Sequence, residues 1–278
     1  MDTIDTTDAK RKINMRGSGT YGVDYQGFIA TGVMASNIPV PFLKVVEDAT
    51  KTLGSVIGED LHGLHLYGSV VTGLAQVPTS DLDVLVVLHR KPTETLTSQI
   101  KTAEAALSHK YSKVVREVGV GVTFLEEIHS DIHGIGCFIK HLCVCVLGER
   151  MQDSLPKFKP TRQVAKAFNG DFKKVRENYL LLLETSPTDA ICSLGDRISR
   201  KFIRTGFSLV TAREQSWTTD PEIACDAFAK YYPEKAEDMR RVLQLPNRPE
   251  LSKGELTELL IGFGGWLAQE VEREFSKD

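Results

Sequence analysis

Hydrophobic and polar residues follow two different spacings along the first half of the chain. Short apolar runs bounded by polar residues or glycine predict three strands, at about 63–67, 82–88 and 117–125. Apolar residues three or four positions apart predict one helix after Pro39 and Pro41 and another over about 96–111. Residues 135–147 are apolar enough for a further buried strand or a mixed segment. Strands that alternate with helices in this way indicate an α/β domain with a small mixed sheet.

The second half of the chain contains only helical patterns. Pro156 and Pro160, set among lysines, mark the boundary. Beyond them, apolar residues recur at helical spacing over about 171–184, 188–210, a segment that begins at Asp220-Pro221, 234–245 and 253–275. Amphipathic stripes of this kind are typical of a helical bundle. We therefore expect an α+β fold: an N-terminal extension over 1–38, an α/β domain over 39–155 and an all-helical domain over 156–278.

Composition narrows the class of protein only a little. Of the 278 residues, 41% are hydrophobic and 26% are charged, which are usual values for a globular protein. The net charge of −3 gives no global basic field of the kind that indicates nucleic-acid binding, although a local basic groove would suffice. No stretch approaches the roughly 20 apolar residues of a membrane span. The five cysteines form no CxxC pair and no zinc spacing, so we expect a reducing, cytoplasmic setting.

The most informative segment joins the first two predicted strands. The first strand runs into the turn Gly68-Ser69, and a short helix is expected to begin at Ser69. The second strand is opened by Ser80-Asp81-Leu82-Asp83, whose aspartates project to the same side because side chains alternate along a strand. Two neighbouring carboxylates repel each other unless a cation lies between them, and Mg²⁺ prefers a few carboxylates together with phosphate oxygens. Backbone N–H groups and the hydroxyl of the turn can bind those phosphates.

These ordered motifs, Gly68-Ser69, Gly73 and Ser80-Asp81-x-Asp83, resemble the signature of the nucleotidyltransferase superfamily that includes DNA polymerase β. The two-part layout is similar to the streptomycin/spectinomycin-type aminoglycoside adenylyltransferases. A weaker likeness covers residues 203–213, where Arg204 matches an arginine that reaches the nucleotide phosphates in that family. The resemblance implies that the two aspartates bind the metal, that the glycine-serine turn holds the β/γ-phosphates, and that the substrates meet between the domains.

One element of the superfamily pattern is absent. The resemblance implies a third carboxylate on the third strand, acting as a metal ligand or general base, and we expect its position near Gly121, where the sequence has no acid. Glu117 has the matching strand parity but lies four residues, or roughly 13 Å, away. Either Glu117 or an acid of the helical domain such as Asp196 acts as the base, or the enzyme is impaired.

The predicted reaction is Mg²⁺-dependent transfer of a nucleoside monophosphate to an acceptor hydroxyl, with Asp81, Asp83 and Glu117 as catalytic residues. The choice of AMP from ATP, rather than another nucleoside triphosphate, rests on the resemblance alone. The acceptor is expected to be a small molecule such as an aminoglycoside. The alternatives are a toxin-like enzyme that acts on tRNA or protein, a nucleotide-signal synthase, and a catalytically impaired nucleotide-binding module.

Overall fold

The protein, known from a computed structural model, is described over residues 21–248 and 250–276, which divide into two compact units. We call residues 30–158 the sheet unit. The described residues of 21–29 and 159–276 form the helical unit. The described part of the predicted extension is therefore divided between the two units, and its first 20 residues lie outside the described chain.

The sheet unit contains a four-stranded mixed sheet in the order β3-β2-β1-β4. Strand β1 is antiparallel to β2 and to β4, whereas β2 and β3 are parallel. Its elements in chain order are α1 (Leu43–Ile57), β1 (Leu61–Tyr67), α2 (Ser69–Thr72), β2 (Leu82–Leu88), α3 (Glu94–Lys110), β3 (Val118–Phe124), α4 (Leu125–Ser130), α5 (Cys137–Leu142), β4 (Val144–Gly148) and α6 (Met151–Ser154). Shorter helical turns lie at Ala35–Asn37, Val40–Phe42, Gly58–Asp60 and Ile132–Gly136. Helix α3 makes the crossover that the parallel pair β2 and β3 requires.

Both faces of the sheet are covered, which explains the continuous apolar run in β2. The even-numbered residues of β2 pack against α1 and α3, and Leu85 and Val87 pack on the other face with Ile128 and Ile139. Because side chains alternate along a strand, every odd-numbered residue of β2 projects to that second face. Asp83 therefore lies on the face opposite α1 and α3.

The helical unit is built from helices around one apolar core. Its elements are α7 (Arg162–Asn169), α8 (Phe172–Thr185), α9 (Ile191–Ser208), α10 (Thr211–Glu214), α11 (Pro221–Tyr231), α12 (Ala236–Gln244), α13 (Lys253–Ile261) and α14 (Phe263–Phe275), with shorter turns at Thr188–Ala190, Pro233–Lys235 and Leu245–Asn247. The Asp220 carboxylate accepts hydrogen bonds from the Glu222 and Ile223 amides at 2.9 and 3.1 Å and so caps α11, as the sequence predicts.

The prediction of a single helix over 253–275 is wrong, because the structure has two helices there. It is interrupted at Gly262, whose ψ of −89° is not helical and whose N–H closes α13 on the Glu258 carbonyl. Glycine has a low helix propensity, so interrupting the helix at this residue costs less free energy than at its neighbours.

The predicted α+β fold, a small mixed sheet followed by an all-helical region, is confirmed. Within the described residues, no helix combines the length and the apolar composition needed to cross a lipid bilayer.

Candidate active site

One edge of the sheet brings the predicted site residues of the sheet unit together. Tyr67, at the end of β1, pairs with Asp83 at the start of β2, and Asp83 pairs in turn with Gly119 at the start of β3. Residues directly opposite each other on neighbouring strands project to the same face. The phenol ring, the carboxylate and the empty side-chain position of Gly119 therefore lie in a row on the second face of the sheet.

Gly68 places the backbone of the turn directly against this carboxylate. Its φ is +75°, a conformation that favours glycine, and a Cβ at this position would overlap Asp83 Oδ2. Helix α2 begins at Ser69, as predicted. The Ser69 carbonyl accepts hydrogen bonds from Thr72 Oγ1 and the Leu74 amide, both at 3.0 Å. The turn is therefore held in one position beside Asp83.

Asp81 lies just before β2 and is held by an arginine that the sequence did not suggest. Arg116 donates from Nε to Asp81 Oδ1 at 2.9 Å and from a terminal nitrogen to Oδ2. Two backbone hydrogen bonds of 3.0 Å, from the Arg116 amide to the Ser80 carbonyl and from the Leu82 amide to the Glu117 carbonyl, fix the two segments side by side. The pair spans 35 positions of sequence, so no local pattern could reveal it.

The observed register of β2 and β3 shows which residue of β3 stands where the third carboxylate was expected. The residue beside Asp83 is Gly119, not Gly121, which pairs with Leu85. Glu117 precedes Gly119 by two residues, and its backbone bonds to Leu82, so it lies beside Asp81 rather than four residues from the site. Its side chain is exposed. A role for Glu117 as the base stays a prediction, and the register places Glu117 two residues from the position beside Asp83 instead of the four counted from Gly121.

Tyr67 is a site residue that the sequence analysis missed. Its half-buried ring packs edge-to-face on Phe138, with ring centroids 5.0 Å apart. Burial, together with the nearby carboxylates of Asp83 and Glu104, raises the pKa of the Tyr67 phenol to about 12. The hydroxyl therefore stays protonated, as a hydrogen-bond donor, well into the alkaline range. Its position directly before Gly68 was the only available signal.

The residues at this edge fit a magnesium ion. Among the described residues, no three His, Cys, Asp or Glu side chains form a metal cluster. Mg²⁺, however, needs only one or two carboxylates when phosphates and water complete its shell. Asp83, pressed against a glycine, and Asp81, two residues earlier in the chain, supply such a donor pair. The guanidinium of Arg116 already neutralises one of the two charges.

Arg204 belongs to the helical unit, where it is exposed on α9. Arg197 and Arg200 are exposed on the same helix, while Ile198 and Phe202 are fully buried on its inner face. The spacing of three and four residues places the arginines on one stripe. The contribution of Arg204 to a nucleotide site stays a prediction, as does that of Asp196 on the same helix.

Comparison with solved structures shows what the fold is similar to. Spectinomycin adenyltransferase AAD(9) from Enterococcus faecialis, in a crystal structure with ATP and spectinomycin, matches over 82% of this chain and 98% of that chain, with 16% sequence identity and a TM-score of 0.54. At this identity the likeness concerns the fold alone, and it agrees with the α+β fold that the sequence predicted. No family model and no curated protein matches the chain.

Proposed function

We propose that the protein is a nucleotidyltransferase that transfers AMP from ATP to an acceptor hydroxyl in a Mg²⁺-dependent reaction. The observation that carries this proposal is the contact between the Asp83 carboxylate and the turn at Gly68, where a side chain of any other residue would overlap it. A carboxylate this close to a glycine-serine turn that opens a helix suits a metal-bound phosphate, which needs both anionic ligands for the metal and donors for its own oxygens. Asp81, two residues earlier in the chain, supplies the second anionic ligand.

Each site residue has a distinct role in this proposal. Asp81 and Asp83 hold Mg²⁺, which when bound neutralises the triphosphate and stabilises the charge that develops at the α-phosphorus. Gly68 and Ser69 bind the β/γ-phosphates through backbone N–H groups and the serine hydroxyl. A contribution of Arg204, which belongs to the helical unit, to phosphate binding stays a prediction from the sequence resemblance. Glu117 takes the proton of the acceptor hydroxyl.

The preference for ATP and for a small acceptor is supported by the fold neighbour alone, since that crystal structure contains ATP and spectinomycin. No disulfide pairs any of the five cysteines in the described part of the chain, and a reducing compartment such as the cytoplasm is part of the proposal.

Labelled substrates test the proposal. ATP, GTP, CTP and UTP, each labelled at the α-phosphate, are incubated separately with the protein, Mg²⁺ and cell lysate. We expect label from ATP to appear on an acceptor only when Mg²⁺ is present, and the size of the labelled product tells a small molecule from tRNA or protein. Asp83→Asn should abolish the transfer, whereas Asp60→Asn, at the opposite edge of the sheet, should not.

A nucleotide-binding module without catalysis is the second candidate, because Gly119 leaves the place beside Asp83 without a carboxylate. Such a protein binds Mg²⁺·ATP and loses that binding in Asp83→Asn, yet labels no acceptor. Binding together with transfer excludes this candidate, and binding alone excludes the enzyme.

A further inference from the structure

We propose that Arg116 is a nucleotide-binding residue of this site, one that neutralises Asp81 until Mg²⁺ takes that carboxylate and then binds the triphosphate. The inference rests on the proposed function, because it assigns Arg116 a part in the same site. It adds a residue that neither the motifs nor the fold comparison indicates.

The geometry of the pair is the first support. Arg116 holds both oxygens of Asp81 with two of its nitrogens. A planar guanidinium can bind either a carboxylate or a phosphate through two parallel N–H···O hydrogen bonds. The same side chain can therefore exchange one partner for the other without a change in its chemistry.

The position of Arg116 is the second support. It lies at a bend before β3, and its side chain is 48% exposed, against 20% for Asp81. Its amide is bonded to the Ser80 carbonyl at 3.0 Å, so the backbone is fixed, while about half of the side-chain surface is in contact with solvent. The guanidinium thus stays within one side-chain length of Asp81 in either arrangement.

Charge is the third support. A guanidinium that occupies both oxygens of Asp81 competes with Mg²⁺ for the same carboxylate. Once Mg²⁺ binds there, two cations face each other, and the multiply charged triphosphate that accompanies the metal offers Arg116 a new partner. Arg116 therefore opposes binding of the metal alone and favours binding of the metal together with the nucleotide.

The chain provides a matched control at the opposite edge of the sheet. Arg90 donates from Nε to Asp60 Oδ1 at 2.9 Å, next to the junction of β1 and β2 that lies farthest from Asp83. This pair is also exposed, at 79% and 36%. Arg90→Gln removes a similar ion pair without touching the proposed site.

Two binding measurements on Arg116→Gln, Arg116→Lys and Arg90→Gln test the inference. Mn²⁺, titrated without nucleotide and followed by electron paramagnetic resonance, reports metal binding. The α,β-methylene analogue of ATP, titrated with Mg²⁺ by calorimetry, reports triphosphate binding. We expect Arg116→Gln to bind Mn²⁺ about two- to fivefold more tightly, the scale of an exposed ion pair, and to bind the analogue about tenfold or more weakly, the scale of a charge-assisted hydrogen bond. Arg116→Lys should recover part of the analogue affinity, and Arg90→Gln should match the wild type in both.

The opposite directions of the two changes distinguish the proposed role from a structural one. If Arg116→Gln leaves Mn²⁺ affinity unchanged or weakens it, Arg116 does not compete for Asp81 and the inference is wrong. It is equally wrong if the affinity for the analogue is unchanged. Asp83→Asn distinguishes this failure from failure of the proposed function. If Asp83→Asn binds Mn²⁺ and the ATP analogue as tightly as the wild type, the proposed metal site itself is wrong.

Discussion

Substitution of Gly68 by alanine tests whether the turn and Asp83 form one unit. Gly68 has φ +75° and ψ −154°, a region that residues with a Cβ rarely adopt, and occupying it costs about 1–3 kcal/mol. The new methyl group would also overlap Asp83 Oδ2. The shifts needed to accommodate such an overlap typically lower the stability of the folded state by a further ~1–3 kcal/mol. We expect Gly68→Ala to destabilise the sheet unit by about 2–6 kcal/mol and to displace the carboxylate from the proposed metal site.

Gly58→Ala is the control that separates strain from overlap. Gly58 also has a positive φ, +61°, with a similar ψ of −131°, but a Cβ there meets no atom within 4 Å. Both variants should share the backbone cost, of about 1–3 kcal/mol. Only Gly68→Ala should weaken binding of Mg²⁺·ATP, by at least about tenfold, because only that methyl group reaches a group that binds the metal.

The stability assay must report on the sheet unit alone. Both tryptophans of the chain, Trp217 and Trp266, belong to the helical unit, so their fluorescence does not follow unfolding of the sheet. Hydrogen exchange of the β1 and β2 amides gives the opening free energy of the sheet directly. If the two variants lose equal stability and bind Mg²⁺·ATP equally well, the contact between Gly68 and Asp83 has no functional meaning and the reasoning is refuted.

Further predictions concern single residues of the sheet unit. Ser69→Ala should weaken Mg²⁺·ATP binding by about 1–3 kcal/mol, the scale of a charge-assisted hydrogen bond, and an unchanged dissociation constant in calorimetry would make the serine part of a turn only. Glu117→Gln should lower turnover by about 10²–10⁴ with little change in ATP affinity, and Glu126→Gln, an exposed control, should be silent; equal rates in the two variants would remove Glu117 as the base. Burial lowers the pKa of His65 to about 4. Below about pH 6.5, His65 is therefore protonated in the unfolded chain but stays neutral in the folded chain. The free energy of unfolding decreases by up to about 3 kcal/mol as the pH falls from 6.5 through 4. His65→Leu should flatten that pH dependence in hydrogen exchange, and a slope equal to that of the wild type would show that His65 is not its source.

The sequence predicted the elements whose signals are local. Strand β2 lies at 82–88 as expected, because its apolar run is bounded by polar residues. Helix α2 starts at Ser69 because a glycine turn follows the apolar run of β1. Helix α11 begins behind Asp220 because a cap and a proline act on the adjacent turn. Helix α7, Arg162–Asn169, was missed because eight residues are too few to establish a period.

What the sequence could not predict depends on contacts between distant segments. The pairing of Asp83 with Gly119 follows from the register of two strands joined by a long crossover, and a shift of two residues in that register would have placed Gly121 or Glu117 there instead. The ion pair between Arg116 and Asp81 depends on the same register. Spacing within one strand therefore identified the two aspartates but not their neighbours.

Binding of Mg²⁺·ATP to the wild type and to Asp83→Asn, measured by calorimetry with and without Mg²⁺, tests the central claim most directly. The account predicts that the wild type binds ATP only with Mg²⁺ and that Asp83→Asn loses this binding while the hydrogen exchange of the sheet stays at or above the wild-type protection. Asp60→Asn, whose carboxylate pairs with Arg90 at the opposite edge, should bind like the wild type. Equal affinity in the wild type and Asp83→Asn would contradict the account, because the carboxylate beside Gly68 would then hold no metal.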